Sequence, residues 1–204
     1  MGRKSLEKQR SQDPVKRKQL ASKLIPALNG DSLKDLTMDD IALRLGKSKA
    51  TIYKYFRSQE ELLDLALSEK LEQIAGFVPI LNDRSQNYVK RYQEGLNHLS
   101  IHLEDITSSF LADLQRDFVD LWNKIADFQR MAGMVLRNFY QEGLDKKIII
   151  DIHPGVMVLT DQVIFSALIE PSFLEENKLT AREAYEHYFR MKFYGLLQEE
   201  QRSI

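Results

Sequence analysis

Thr37-Met38-Asp39-Asp40-Ile41-Ala42-Leu43-Arg44-Leu45-Gly46-Lys47-Ser48-Lys49-Ala50-Thr51-Ile52-Tyr53-Lys54-Tyr55-Phe56 reads as two short helices and the turn between them. Thr37 is an oxygen-bearing N-cap, and Asp39 and Asp40 fall in the first turn, where the helix dipole favours carboxylates. Met38, Ile41, Ala42 and Leu45 follow at i, i+3, i+4 and i+7, one apolar stripe. Gly46 ends the helix with a residue that tolerates positive φ. Ser48 caps a second helix through about Tyr53. Two helices joined this tightly need a small residue where they meet, and Ala42 fits; Ile52, six positions after the glycine, is the aliphatic residue the second helix buries. The second helix also offers Lys49, Ala50, Thr51, Tyr53 and Lys54, which are cationic, hydroxylic or small and suit a DNA major groove. The same corner occurs inside helical bundles of any function.

Charge is divided along the chain in a way that favours nucleic acid. The net charge of the 204 residues is −1. Residues 1–57 hold 14 Lys and Arg against 6 Asp and Glu, a balance of +8; residues 58–204 hold 15 against 24, a balance of −9. A basic head on an acidic body is the pattern of a nucleic-acid-binding domain carried on a second domain. There is no cysteine, which excludes disulfide scaffolds, cysteine zinc sites and thiol nucleophiles. No apolar run approaches a membrane span and no apolar signal segment opens the chain, so a cytoplasmic location is expected and no membrane partner.

The remaining segments read as helix, giving an all-α fold: an N-terminal three-helix helix-turn-helix domain, then a helical ligand-sensing and dimerisation bundle, about nine helices in total. Residues 1–12 form a basic arm, 13–57 the first domain and 58–204 the second. Asp13-Pro14 starts the first helix, which runs to about Leu28 with a kink or early end at Pro26. Asn29-Gly30-Asp31-Ser32 is a break. Ser58-x-x-Glu61 is a capping box that opens a helix to about Phe77 and connects the two domains. Further helices are expected over 86–103, 108–115 and 118–142, the last ending at Gly143. Lys146-Lys147-Ile148-Ile149-Ile150 is a connector. Pro154 starts a helix to about Ile169, Pro171 stops it, and Thr180-x-x-Glu183 boxes the last helix.

Thr37–Ala42, Gly46–Phe56 and the following Ser58-Gln59-Glu60-Glu61-Leu62-Leu63 resemble the DNA-binding domain of the TetR family of bacterial regulators, over about residues 15–65. The most specific part is Ser-x-x-Thr-Ile-Tyr-x-Tyr-Phe followed by the Glu-Glu-Leu helix start. The resemblance implies that Ser48 caps the recognition helix, that Lys49, Ala50 and Thr51 face bases or phosphates, and that Tyr53 and Tyr55 approach the backbone. Thr37 would bond a phosphate, Ile52 and Phe56 would be core, and Arg57, or less well Gln59, would supply a further phosphate contact. Lys47 replaces a small aliphatic residue, which implies either a differently packed turn or an added phosphate contact; Ala50 replaces a common glycine; Pro26 and the longer Gly30–Thr37 spacing also depart from the pattern. Lys47 and Lys54 complete the expected DNA-contacting set. With little Arg, Asn or Gln in the recognition helix, bidentate base readout is scarce, so specificity is expected to rest on dimer spacing and DNA shape.

In the second domain, the helix from Pro154 is apolar nearly all round and therefore buried on more than one side. With the aromatic last helix it is expected to form a homodimer interface through Leu159, Val163, Phe165, Ser166, Tyr185, Tyr188 and Phe189, matching a palindromic DNA operator. Tyr88, Tyr92, Phe110, Phe118, Trp122, Phe128, Phe139 and Tyr140 either line an apolar cavity for a small-molecule inducer or form plain core. His98 and His102 stand at i, i+4, but without a clear third ligand a solvated helix face is the better reading. No phosphate-binding glycine loop, His-Glu-x-x-His or Gly-x-Ser-x-Gly is present. No catalytic residue, metal or cofactor is therefore expected. The function read from the sequence is a DNA-binding repressor released by a ligand, the alternative being a DNA-bound scaffold that recruits a protein.

Overall fold

The computed structural model describes residues 13–28, 31–34 and 36–197. The arm expected over 1–12, and Asn29 and Gly30 of the expected break, lie outside them. Among the described residues there are twelve helices rather than nine: α1 (Pro14–Ala21), α2 (Leu24–Leu28), α3 (Met38–Arg44), α4 (Lys49–Tyr55), α5 (Gln59–Ile74), α6 (Phe77–Asn82), α7 (Tyr88–Leu103), α8 (Ser108–Asp117), α9 (Val119–Asp145), α10 (Pro154–Leu168), α11 (Pro171–Asn177) and α12 (Ala181–Leu196). No strand is present among the described residues beyond an isolated bridge between Ile149 and Leu197. Among the described residues no single helix is long and apolar enough to cross a membrane.

The additional helices have local causes. Pro26 is the third residue of α2 and Pro79 the third of α6, positions in the first turn where a missing N–H leaves nothing unsatisfied. The proline ring clashes with the carbonyl four residues back, which is Ser22 in one case and Ala75 in the other. The chain therefore breaks at 22–23, earlier than Pro26 alone suggested, and at 75–76, short of Phe77. Pro171 does stop α10, but it also occupies the first position of α11, the second role proline has at a helix start.

Gly143 does not end α9. The helix continues to Asp145, and Gly143 is buried against α7, where a Cβ would stand 2.5 Å from the Tyr88 hydroxyl. The actual stop is Lys147 at φ 55°. The Ile148 amide bonds the Gly143 carbonyl at 2.9 Å and the Lys147 amide bonds Leu144 at 2.9 Å, the Schellman pattern with lysine where glycine usually stands. Lys178, φ 54°, ends α11 the same way.

The described residues divide into two compact units, 13–28 with 36–70, and 31–34 with 71–197. The core of the first unit includes Leu24, Ile25, Leu28, Ile41, Ile52, Phe56, Leu62 and Leu63, each no more than 3% exposed. In the second unit α9 packs along α10, and α7 along α6 and α12. Here the aromatic residues of the middle helices meet one another and the last helix: Tyr88 stacks on Phe139 at 4.1 Å and Tyr92 on Phe193 of α12 at 4.2 Å. Of the two alternatives for this set, the Tyr88, Tyr92, Phe139 and Tyr140 part is packed core. Asp113 of α8, almost fully buried, accepts from the Ser32 hydroxyl (2.7 Å) and the Leu33 amide (2.5 Å). That tie fastens Ser32 and Leu33 to α8.

Two buried charge clusters brace the second unit. Arg91, with no exposed surface, pairs with Glu142 and donates to the Leu81 carbonyl at 2.5 Å. Asp161, equally buried, accepts from Tyr140 (2.7 Å), Tyr188 (2.7 Å) and Lys192. A buried carboxylate is tolerable only when its lone pairs are met in this way.

Candidate nucleic-acid interface

The site is built on α3 and α4. Thr37 and Asp40 form a reciprocal capping box: the Asp40 amide donates to the Thr37 hydroxyl oxygen at 3.2 Å and the Thr37 amide to the Asp40 carboxylate at 2.9 Å. The hydrogen bonds from Thr37 hold the Asp40 carboxyl below its usual range. Gly46 sits at φ 62°. The Lys47 amide bonds the Ala42 carbonyl at 2.8 Å and the Gly46 amide bonds Leu43 at 3.0 Å, a Schellman turn that sends the chain from α3 into α4. Ser48 caps α4 through the Thr51 amide (3.1 Å), and its hydroxyl also bonds the Thr51 hydroxyl (2.8 Å).

This geometry leaves Thr37, Lys47, Ser48, Lys49, Ala50, Lys54 and Arg57 exposed, with Thr51 half-buried and Tyr53 38% exposed. Tyr55 stands apart from the other expected contacts: it is 6% exposed, its ring is covered by the Lys54 ammonium at 5.5 Å, and it belongs mainly to the core of the first unit. Ile52 and Phe56 are fully buried, as expected. Lys49 bonds Asp39 at 2.8 Å, and that bond raises the lysine pKa. Its ammonium also stands 5.9 Å from the Tyr53 ring.

Arg17 of α1 was not singled out by the sequence. Its guanidinium donates to the Tyr55 carbonyl at the end of α4 (2.7 Å), pairs with Glu61 (2.8 Å) and lies over the Phe56 ring at 4.9 Å. Its partners are 38 and 44 residues away, so no local pattern marks it. Glu61 is also used differently from the expected box. Its amide does donate to Ser58 (3.1 Å), but its carboxylate accepts from the Arg57 amide (2.6 Å) rather than from Ser58. Burial would raise the Glu61 pKa; the Arg57 and Arg17 hydrogen bonds outweigh it and the net shift is downward.

The residues expected at a dimer interface separate into two sets. Phe165, Tyr185, Tyr188 and Phe189 are buried within the chain and touch one another; Leu159 and Val163 are 61% and 60% exposed, and Ser166 is exposed. His98 bonds the Gln73 carbonyl at 2.8 Å and lies 4.4 Å from the His102 ring. No group of three or more candidate metal ligands occurs among the described residues. An open cleft of about 170 Å³ lies between α7 and α12, lined by residues that include Leu96, Leu99, Tyr185, Phe189 and Arg190.

A capped helix with a cationic, hydroxylic exposed face, set after a tight turn in an all-α chain, makes a helix-turn-helix of the class found in DNA-binding transcriptional regulators. Residues 32–66 match the sequence pattern of bacterial regulatory proteins of the tetR family. The chain is 22% identical over 166 residues to the uncharacterized HTH-type transcriptional regulator YvaF of Bacillus subtilis (strain 168), covering 81% of this chain and 87% of that one. Its fold is similar to that of a TetR-family transcriptional regulator from Marinobacter aquaeolei VT8 (TM-score 0.71, 17% identity, 91% of this chain and 93% of the other). It is also similar to a TetR transcription regulator from Haloarcula marismortui ATCC 43049 (TM-score 0.68, 16% identity, 90% and 100%).

Proposed function

We propose that the protein is a homodimeric repressor that binds a palindromic operator through α4 and is released from it by a small-molecule ligand. The observation that carries the DNA half of this reading is the exposed surface of α4, whose capped N-terminus carries Lys47 and Lys49 and whose C-terminal end carries Lys54 and Arg57. Lysines and hydroxyls on phosphates give affinity that falls steeply with salt, while Lys49 reaching guanine and the Ala50 and Thr51 methyls meeting thymine give sequence preference. The paired half-sites follow from two copies joined through exposed Val156, Leu159 and Val163 of α10, with recognition helices about 34–36 Å apart. The ligand acts by binding the released arrangement better than the DNA-bound one. The cleft between α7 and α12 is smaller than the roughly 300–1,000 Å³ of typical ligand sites, so an occupant of that class must part the two helices.

The stacked aromatic core supports a second reading, a DNA-bound scaffold that recruits a protein through its body. One selection tests the DNA half: bound duplexes are recovered from a random pool with purified protein at moderate salt. The expected result is an enriched near-palindrome, lost on Tyr53→Ala or Lys49→Ala. A folded protein that enriches nothing would overturn operator binding. With the operator in hand, compounds that bind the body are tested for release. If every one leaves operator affinity unchanged, the sensor half fails and the scaffold reading replaces it.

A further inference from the structure

Lys49 occupies the first position of α4. A cation there opposes the helix dipole, which disfavours positive charge at an N-terminus. The structure supplies the compensation from the other helix of the motif. Two carboxylates stand in the first turn of α3. Asp40 serves the cap with Thr37, while Asp39 faces the turn and takes the Lys49 ammonium at 2.8 Å. Both side chains remain nearly 60% exposed, so the pair contributes little to stability. It stands on the face that DNA must approach, within a segment whose charge is otherwise strongly positive. An acidic residue beside phosphates weakens binding, so its effect there is on selectivity.

We propose that Asp39 is a specificity-determining residue of DNA recognition, acting as the counter-ion that holds Lys49 against α3 and away from the phosphate backbone. The proposal rests on the reading of α4 as the recognition helix. An ammonium has three donors. One is committed to Asp39, and the others remain for an acceptor in front of the pair, such as the adjoining O6 and N7 of a guanine. A phosphate offers Lys49 no more charge than the carboxylate already gives, and reaching for it would leave Asp39 unpaired beside the DNA. The pair therefore subtracts one cation from sequence-independent binding while keeping its hydrogen bonds for a base edge. The Tyr53 ring near the ammonium adds a second fixed contact on the same side.

The test is a salt titration of binding to a duplex of random sequence, which needs no knowledge of the operator. Four proteins are compared: wild type, Asp39→Asn, Lys49→Ala and the double variant. Asp39→Asn is expected to bind the random duplex about two- to fivefold more tightly near 0.1 M salt. Its plot of log affinity against log salt should be steeper by about 0.9, one further phosphate neutralised. In the Lys49→Ala background the same substitution should leave the slope unchanged, because the cation it would free is absent. Circular dichroism of each variant confirms that the helices are retained. Unchanged affinity and slope in Asp39→Asn would overturn the proposal. So would an equal effect with and without Lys49, which would make Asp39 a plain repulsive charge. A wild-type protein that binds no duplex even at low salt would remove the DNA reading itself, a different failure from binding that ignores Asp39.

Discussion

Arg17 joins three pieces of the DNA-binding unit with one side chain: the end of α4 through the Tyr55 carbonyl, the start of α5 through Glu61, and the core through the Phe56 ring. Such a residue fixes the end of α4 against the start of α5. Arg17→Ala is expected to lower unfolding stability by about 1.5–3 kcal/mol, the range for hydrogen bonds to charged groups. It should also weaken the selected operator more than its one lost charge explains; chemical denaturation and a salt titration read the two effects separately. Glu142 is the comparable residue of the second unit. Burial alone would raise its pKa, but hydrogen bonds from Arg91 and Lys146, with their charges, carry it below the usual value. A carboxylate whose folded pKa lies below its unfolded one contributes stability that is complete above the unfolded value and is lost as pH falls through the folded one. Stability should therefore hold from neutrality to about pH 5 and then decline. Glu142→Gln should cost about 3 kcal/mol at neutral pH, since it leaves the buried Arg91 guanidinium facing a neutral amide, and should flatten the acid decline. Urea unfolding at several pH values checks both.

Helix starts were more legible than helix ends. Thr37, Ser48 and Thr180 act as caps in the structure as their residue type and spacing imply, because a cap is a local bond between residues two or three apart. Asn87 caps α7 through the Val89 and Lys90 amides, but without an acidic partner three residues on it carried no box pattern. The ends at Lys147 and Lys178 were hidden for a physical reason: both adopt the left-handed conformation that usually calls for glycine, and nothing in a lysine announces it. Gly143 misled in the opposite sense, since its lack of a Cβ serves the approach of Tyr88 and not a turn. The strain at Lys178 is testable. The position is exposed, so Lys178→Gly removes a Cβ clash without removing core packing. It should stabilise the protein by about 0.5–1 kcal/mol, the left-handed penalty less the added chain entropy of glycine. A melting temperature that falls instead would show that the lysine side chain contributes more than its backbone costs. The candidate DNA site was legible almost whole, because it is contiguous in sequence. Tyr55 departs from the rest because it is buried in the first unit, and Arg17 was missed because its partners lie 38 and 44 residues along the chain.

For the whole molecule, the apolar residues left uncovered on α10 and α12 are the part that one protomer does not explain. Val156, Leu159 and Val163 recur at helical spacing on α10, each more than half exposed, and Met191 and Tyr194 of α12 are 68% and 52% exposed. The inward side of the same two helices is closed by the Phe165, Tyr185, Tyr188 and Phe189 cluster and by Asp161 with Lys192. The two helices are thus rigidly held while presenting an apolar outer face, the arrangement expected where an identical copy completes the burial. At a two-fold interface each substituted residue occurs twice, so a carboxylate placed at Leu159 or Val163 is buried in both copies with no cation opposite. Val163→Glu is expected to shift the protein from dimer to monomer in sedimentation equilibrium at micromolar concentration. The helices of each protomer should remain intact, because residue 163 is not part of the inner core. Affinity for a palindromic duplex should then fall by roughly 100-fold or more, as the second half-site no longer adds to the first. Affinity for a single half-site should be nearly unchanged, since α4 and its flanking lysines are untouched. A Val163→Glu protein that remains dimeric would move the interface elsewhere. A monomer that still binds the full palindrome as tightly as wild type would detach DNA recognition from two-fold pairing altogether.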